Sequence, residues 1–253
     1  MAEYRHFKVV VAGDNAEELM LKYDANVRSA PYVTFEYEKA EEYKKNYLKT
    51  MQSLIGDPNC RKELGEQRVN YIKEEIKEVE KESAEDFYMD LTRNMEKDPE
   101  TMNAISTDNP NGRFFSHKVG GGFSLPFILK DGTESYKARK CDIAWEKIHL
   151  ANTRAYEVAW DTTHGLAEPN GEDEQTIYEN MKNMDSYFAN FEGREHYISA
   201  MTAFWGLAFV DEKSGWNEMR DDEKQFDWVI NFYDRFIKPL PEDTMLTIYE
   251  CNR

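Results

Sequence analysis

Two apolar, β-branched segments lie near opposite ends of the chain, and they limit the folds open to it. Residues 7–13 read FKVVVAG, and residues 244–251 read TMLTIYEC. Helical patterns fill much of the sequence between them. Strands at both ends with helices between predict an α+β fold. We expect one mainly antiparallel sheet, with ferredoxin-like β-α-β units at both ends of the chain and a large helical insertion between them.

The first hundred residues show clear periodicity. A strand over 7–13, a short helix after Asp14 and a strand from Pro31 predict a β-α-β opening. Apolar residues then recur at steps of three and four over 66–81, which indicates an amphipathic helix with its charges outside. Further helices are predicted over 41–55 and over 83–95, the latter with a weak capping box from Ser83 to Asp86.

The remaining sequence alternates short extended pieces with helices. Residues 109–127 read NPNGRFFSHKVGGGFSLPF, which predicts a turn followed by a strand broken at its glycines. A hairpin is predicted at Asp131-Gly132, and helices over 141–165 and 172–188. The last fifty residues predict β-β-α-β, with strands over 201–211, 214–219 and 244–251 and a helix over 221–237.

The hydrophobic content of 40% is enough for a buried core, and the length of 253 residues is near the upper size for one domain. We therefore expect either a single domain, 1–253, or two intimately packed lobes, 1–98 and 113–253. The loop from Asp98 to Gly112 is the candidate boundary, because prolines and glycines break every period there.

The charge balance restricts the partners. Thirty-two Lys and Arg against 49 Asp and Glu give a formal net charge of −17, which repels a phosphate backbone. Nucleic acid is therefore disfavoured as a direct partner, and a protein with a basic surface is favoured. The acids serve either as a solubilising surface or as a docking face that competes for a nucleic-acid-binding protein. The candidate partner-binding acids are Glu74, Glu75, Glu78, Asp221, Asp222 and Glu223.

Cysteine spacing and hydropathy indicate the compartment. Cys60, Cys141 and Cys251 are odd in number and widely spaced, which argues against a disulfide framework and against a cysteine zinc site. No apolar run approaches the roughly 18 residues that a membrane helix needs, and the first apolar run is too short for a signal peptide. We expect a protein of the reducing cytoplasm without a membrane span.

Local catalytic signatures are sparse. The five histidines form no HExxH motif, and the chain has no GxSxG elbow and no Walker A loop. We therefore expect no catalytic residue, cofactor or metal from local motifs. The glycine run permits close backbone approach and could bind a small anion. Its candidate ligand residues are Arg113, Lys118, Gly120, Gly121, Gly122 and, for stacking a base, Trp216. A bulge or turn with a purely architectural role is the alternative.

The same segment resembles one found in uncharacterised bacteriophage and prophage proteins, in which Asn-Pro-Asp/Asn-Gly-Lys-Trp-Asp is followed by Ile-Gly-Gly-Arg-Trp. Asn109–Gly112 match, Arg113–Phe115 replace Lys-Trp-Asp, and Val119–Gly121 take the Ile-Gly-Gly places. Gly122-Phe123 stand where the family has Arg-Trp. The segment IKPLPEDTMLTIYEC, 237–251, is similar to the family's closing Leu-Pro-Asp-Asp-x-Leu-Thr strand, which ends in Asp-Cys.

This resemblance implies a phage or mobile-element setting and an accessory protein that acts against host defence by binding. Three functions stay open. The first is a non-enzymatic acidic inhibitor of a host defence complex, such as a CRISPR effector, in the host cytoplasm. The second is a small-ligand module that binds a nucleotide or signalling molecule through the glycine loop. The third is an enzyme acting on nucleotides or nucleic acid, with His117 or His164 near carboxylates.

Overall fold

The computed structural model describes residues 6–122, 124–150, 153–220 and 222–253, and of Leu150 and Asp185 only the backbone. The described strands are β1 (His6–Ala12), β2 (Tyr32–Phe35), β3 (Glu96–Lys97), β4 (Ala104–Ser106), β5 (Ser116–Val119), β6 (Phe127–Ile128), β7 (Glu134–Ser135), β8 (Lys137–Arg139), β9 (Ala208–Asp211), β10 (Gly215–Glu218) and β11 (Met245–Asn252). The described α-helices are α1 (Ala16–Leu21), α2 (Ala40–Gly56), α3 (Pro58–Lys81), α4 (Ala84–Leu91), α5 (Trp145–Leu150), α6 (Thr153–Thr163), α7 (Glu172–Met181), α8 (Asp185–Phe188), α9 (Arg194–Thr202) and α10 (Gln225–Phe232). A π-helical turn, Tyr233–Ile237, continues α10.

The chain divides into two compact units. The first comprises the residues up to Val27 together with Asn111–Arg253, and the second comprises Arg28–Pro110. This division differs from the lobes 1–98 and 113–253 expected from the sequence. The reason is that β1 pairs along its whole length with β11, which joins the beginning of the chain to the later residues.

The first unit contains the largest sheet, with the order β10-β9-β1-β11-β5 and with β8 also pairing with β11. β1 runs parallel to β9, and the other pairs are antiparallel. β6 and β7 form a separate hairpin around Asp131-Gly132, as predicted. The expectation of a mixed α and β fold with mainly antiparallel sheets is confirmed.

Both faces of this sheet are buried, because its strands alternate two apolar sets. On one face, Val10, Phe209 and Ile248 pack with residues of α10. On the other, Val9, Val210 and Tyr249 pack with residues of α1. Successive residues of β11 therefore point to opposite faces, so Thr247, Tyr249 and Cys251 lie on the α1 side. Helices on both sides of a sheet give the first unit a three-layer core.

The second unit combines α2, α3 and α4 with a small sheet of order β2-β4-β3. The residues spaced three and four apart in α3 are buried, as the periodicity predicted: Val69, Ile72, Ile76 and Val79. α3 is broken at Gly65, where φ is 75°. Ser83 caps α4 by accepting a hydrogen bond from the Asp86 N–H at 3.0 Å, so the predicted cap is confirmed.

Two expectations about strands are wrong. β2 pairs with β4 in the second unit, whereas β1 belongs to the large sheet, so the predicted β-α-β opening does not form within one sheet. The strand predicted over 201–211 is shortened to β9, because α9 continues to Thr202 and buries Tyr197 and Ala200. The predicted chain order β-β-α-β in the last fifty residues matches β9, β10, α10 and β11. Within the described residues, no helix combines the length and the apolar character that crossing a bilayer requires.

Candidate functional site

The glycine run forms a tight turn at the end of β5. Gly120 and Gly121 have φ values of 71° and 145°, a region that side-chain-bearing residues rarely adopt. The Gly120 N–H donates to the Ile248 carbonyl at 2.9 Å, and the ring of Tyr136 lies where a Cβ of Gly120 would be. The turn and glycine-broken strand predicted over 109–127 are therefore present.

The turn closes on a carboxylate of the chain itself. Glu250 is only 6% exposed, and its Oε1 lies 3.5 Å from Nδ1 of His6 and 3.7 Å from Nζ of Lys118. Its Oε2 occupies the space next to Gly121. The predicted ligand residues Lys118 and Gly121 thus meet around an internal anion. An external phosphate at that point would face the negative charge of Glu250.

The other predicted ligand residues lie elsewhere. The Arg113 carbonyl accepts from Nε of Arg253, whereas the glycine turn pairs at Ile248. Five residues of strand separate those two positions, which is about 16 Å at the rise of a β-strand. Trp216 lies on the edge strand β10, where it donates to Glu218 at 3.1 Å and packs against core aromatic rings. Gly122 is exposed, and nothing lies within 4 Å of where its Cβ would be.

The predicted partner-binding acids on α3 are partly engaged within the second unit. Glu74 pairs with Lys77 at 2.8 Å, and Glu75 accepts a hydrogen bond from the Tyr47 hydroxyl. Glu78 is exposed and forms no ion pair with the residues that the structure describes. α3 also carries lysines between its acids, so its surface is of mixed charge rather than acidic.

The acids predicted near residue 222 belong to the first unit. Asp222 pairs with Arg220 at 3.3 Å and Glu223 with Arg235 at 3.1 Å. Glu223 is the more buried partner, with 14% of its side chain exposed. Asp221 lies outside the described residues. Local cations therefore balance both described acids of this group.

A different acidic region covers most of α6, the loop that follows it, and α7. This region, residues 155–181, contains seven Asp and Glu and no Lys or Arg. Arginines and a lysine from outside this stretch bind four of these acids, which are Glu157, Asp161, Glu174 and Glu179. Glu168, Glu172 and Asp173 are exposed and form no ion pair within the described part of the chain. We call residues 166–173 the α6–α7 acidic segment. A scan for long stretches without basic residues would have found it.

A cleft of about 380 Å³ opens on the α1 side of the large sheet. Its wall is residues 14–18, and its floor is formed by Thr247 and Tyr249 of β11, Lys137 of β8 and the end of β5. We call it the α1 cleft. Its floor residues are neighbours because Lys137 pairs with Thr247 in the register between β8 and β11. The sequence analysis placed Asp14 only before the start of a short helix and so missed this site.

Hydrogen bonds fix one wall of the α1 cleft. The Tyr249 hydroxyl donates to Oε2 of Glu17 at 3.0 Å, and Nε2 of His117 lies 3.0 Å from Oε1 of the same carboxylate. Burial and the Glu17 carboxylate raise the pKa of Tyr249, so its phenol stays protonated and donates. Thr247 is 1% exposed, and its hydroxyl has no hydrogen-bond partner among the described residues.

The chemistry of these sites is that of binding through charges and hydrogen bonds. Among the described residues, no group of three or more His, Cys, Asp and Glu side chains is placed to hold a metal ion. Comparison with known proteins found no matching family model, no matching curated protein and no matching solved structure.

Proposed function

We propose that this protein is a non-enzymatic acidic binder that docks on a basic protein surface. In the setting implied by the phage-like segment at 109–123, it is an accessory protein of a phage or mobile element. Its partner would then be a host defence complex in the host cytoplasm, such as a CRISPR effector or another nucleic-acid-binding assembly. The observation that supports this proposal is the α6–α7 acidic segment.

Both units carry a net negative charge, so charge steering is open to either. Residues 28–110 carry 13 Lys and Arg against 19 Asp and Glu, whereas the other residues carry 19 against 30. The net charges are therefore −6 for residues 28–110 and −11 for the other residues, which are about twice as many, so the charge per residue is similar in the two units. The predicted acids Glu74, Glu75 and Glu78 lie in the second unit, so the choice between the two docking faces depends on local ion pairs and not on total charge.

The α6–α7 acidic segment has the properties of a docking element. Carboxylates without local cations keep their full charge for an incoming basic side chain, whereas Glu74 would first have to leave Lys77. Leu166 within the segment is 66% exposed, and an exposed apolar residue among charges can anchor an interface. Charge would steer the encounter, so association should be fast and should weaken with salt.

The test compares two triple variants that remove the same charge. Glu168→Gln/Glu172→Gln/Asp173→Asn neutralises the α6–α7 segment, and Glu74→Gln/Glu75→Gln/Glu78→Gln neutralises the α3 acids. Both are used, with the native protein, for affinity capture from bacterial lysate, followed by mass spectrometry and by elution in rising salt.

We expect a stoichiometric basic partner that binds the native protein and the α3 variant equally well. The affinity of this partner for the α6–α7 variant should be lower by at least about tenfold. Elution of the partner by roughly 0.5 M salt is the second expected result. Loss of the partner from the α3 variant alone would move docking to the acids first predicted. Equal retention by both variants, or a complex insensitive to salt, would contradict docking through acidic residues.

A further inference from the structure

We propose that the α1 cleft is a binding site for a small zwitterionic amine of the size of a free amino acid. This ligand carries an ammonium group and a carboxylate. The cleft presents carboxylates and an ammonium group that form no ion pair with the described residues. The site lies on a different surface from the α6–α7 acidic segment, and it does not depend on the partner proposed above.

Thr247 provides the first observation. Thr247 lines the floor of the cleft, and its hydroxyl is buried and has no partner among the described residues. Leaving a buried hydroxyl without a hydrogen bond is unfavourable, and valine has nearly the same shape without that penalty. A strand position facing an apolar layer would therefore favour valine, unless the hydroxyl bonds to something that enters the cleft. A hydroxyl can both donate and accept, so it suits a ligand carboxylate or amine.

The charges at the cleft provide the second observation. Asp14 and Glu18 are exposed on the wall and form no ion pair with the residues that the structure describes. Lys137 on the floor likewise forms no ion pair within the described residues. A ligand ammonium group can bind the two wall carboxylates while its carboxylate binds Lys137. A purely anionic ligand would be repelled by the wall, and a purely cationic one would leave Lys137 without a partner.

The third observation is the fit of the cleft to a small molecule. Its volume of about 380 Å³ lies within the usual range of roughly 300–1,000 Å³ for small-molecule pockets. Val119, at 51% exposure, offers an apolar contact for a side chain. Glu17 is held by Tyr249 and His117, so this part of the wall is ordered before a ligand arrives, which lowers the entropic cost of binding.

The test uses the full chain and three classes of probe. Ligand-observed NMR saturation transfer is measured with each of the standard protein amino acids, with putrescine as an amine without a carboxylate, and with glutarate as a dicarboxylate. The best amino acid is then titrated calorimetrically into the native protein, Thr247→Val, Lys137→Met and Asp14→Asn/Glu18→Gln. Lys213→Met, an exposed lysine outside the cleft lining, is the matched control.

We expect saturable binding of at least one amino acid, and weaker or no binding of putrescine and glutarate. Thr247→Val and Lys137→Met should each weaken binding about tenfold, and the double wall variant should abolish it, while Lys213→Met leaves it unchanged. Thr247→Val should fold normally, because it removes an unpaired buried hydroxyl, and circular dichroism checks this. Binding of no amino acid, tighter binding of putrescine or glutarate, or native affinity in folded Thr247→Val would overturn the proposal.

Discussion

Oε2 of Glu250 lies 1.8 Å from the position that a Cβ atom would take on Gly121. Real Cβ atoms essentially never come within 3.0 Å of a heavy atom outside their own residue and its chain neighbours, so the carboxylate fills space that only glycine leaves free. The φ of 145° at Gly121 is a second reason for glycine at this position. Close approach of a buried acid, rather than approach of an external phosphate, explains this glycine.

Gly121→Ala should destabilise the first unit by about 3 kcal/mol, because it adds both a steric clash and backbone strain. Urea unfolding followed by circular dichroism measures the loss. Gly122→Ala is the control, since nothing lies within 4 Å of its Cβ position, and it should change stability by less than about 1 kcal/mol.

The contact itself is tested by a double-mutant cycle. In a Glu250→Ala background, the alanine at 121 should cost at least about 1 kcal/mol less than in the native chain, because the clashing carboxylate is gone. The same cost in both backgrounds would mean that backbone strain alone accounts for the effect.

The Tyr88 hydroxyl group contacts three backbone groups of the second unit. Its oxygen accepts from the Ala104 N–H at 2.8 Å and lies within hydrogen-bond distance of the Phe35 and Met102 carbonyls. Tyr88→Phe should cost about 2–3 kcal/mol, because it leaves a buried donor and a buried acceptor unpaired. Urea unfolding provides the number. Tyr71→Phe, at a residue that is 57% exposed, should be close to neutral.

Lys8 should make stability depend on alkaline pH. Burial lowers the pKa of Lys8 to about 8, and its ammonium group lies over the rings of Phe204 and Trp205 at 4.7 and 5.8 Å. The unfolded chain binds the proton more tightly, so stability should rise as pH increases from about 8 to the ordinary value of 10.5.

Lys8→Met should therefore be more stable than the native chain by about 1–3 kcal/mol at pH 7, and this advantage should shrink as pH rises towards 10.5. Urea unfolding at several pH values checks this. For Lys213→Met, at an exposed position, the free energy of unfolding should change with pH in the same way as that of the native chain. A constant difference between Lys8→Met and the native chain would show that the lysine does not titrate in this range.

Asp161 and Arg194 should give a dependence of the same sign at acid pH, because the folded-state pKa of Asp161 is also lowered. Nε and Nη2 of Arg194 donate to the two carboxylate oxygens at 2.7 and 2.9 Å, and these hydrogen bonds hold the pKa of Asp161 below its usual 3.8. The stabilisation is present above that value and is lost as pH falls through the lower, folded-state pKa.

Asp161→Asn should cost about 1 kcal/mol at pH 7 and progressively less below about pH 4. Thermal unfolding from pH 2 to 7 measures both. The matched pair Asp90–Arg93 has side chains that are 59% and 70% exposed, so Asp90→Asn should have little effect at any pH. If the stability difference between Asp161→Asn and the native chain does not shrink at acid pH, the Asp161–Arg194 ion pair is not its source.

The sequence predicted the existence of most elements but not their partners. The spacing of Val69 to Val79 predicted the buried face of α3, and the β-branched runs predicted β1 and β11. Periodicity describes one segment at a time, so it could not show that β1 pairs with β11. Nor could it show that β2 pairs in the other unit.

The sites were harder to predict, because each depends on residues far apart in the chain. Glu250 follows an apolar run, and its burial is explained only by glycines about 130 residues earlier, at the end of β5. Thr247 looks like an ordinary strand residue, and only its register with Lys137 and the approach of residues 14–18 make it part of a cleft. Composition predicted an acidic surface, yet salt bridges within the units decided which acids stay unpaired.

The pairing of β1 sets an order of events during synthesis. β1 leaves the ribosome before its sheet neighbours β9 and β11, which follow roughly 200 residues later, and nascent chains lengthen at about 5–20 residues per second. For about ten seconds or more, the apolar run from Phe7 to Ala12 is without its strand partners. Residues 28–110, in contrast, contain all three strands of their own sheet. An unpaired apolar strand is prone to aggregate, so β1 is exposed to mispairing until β9 and β11 have been synthesised.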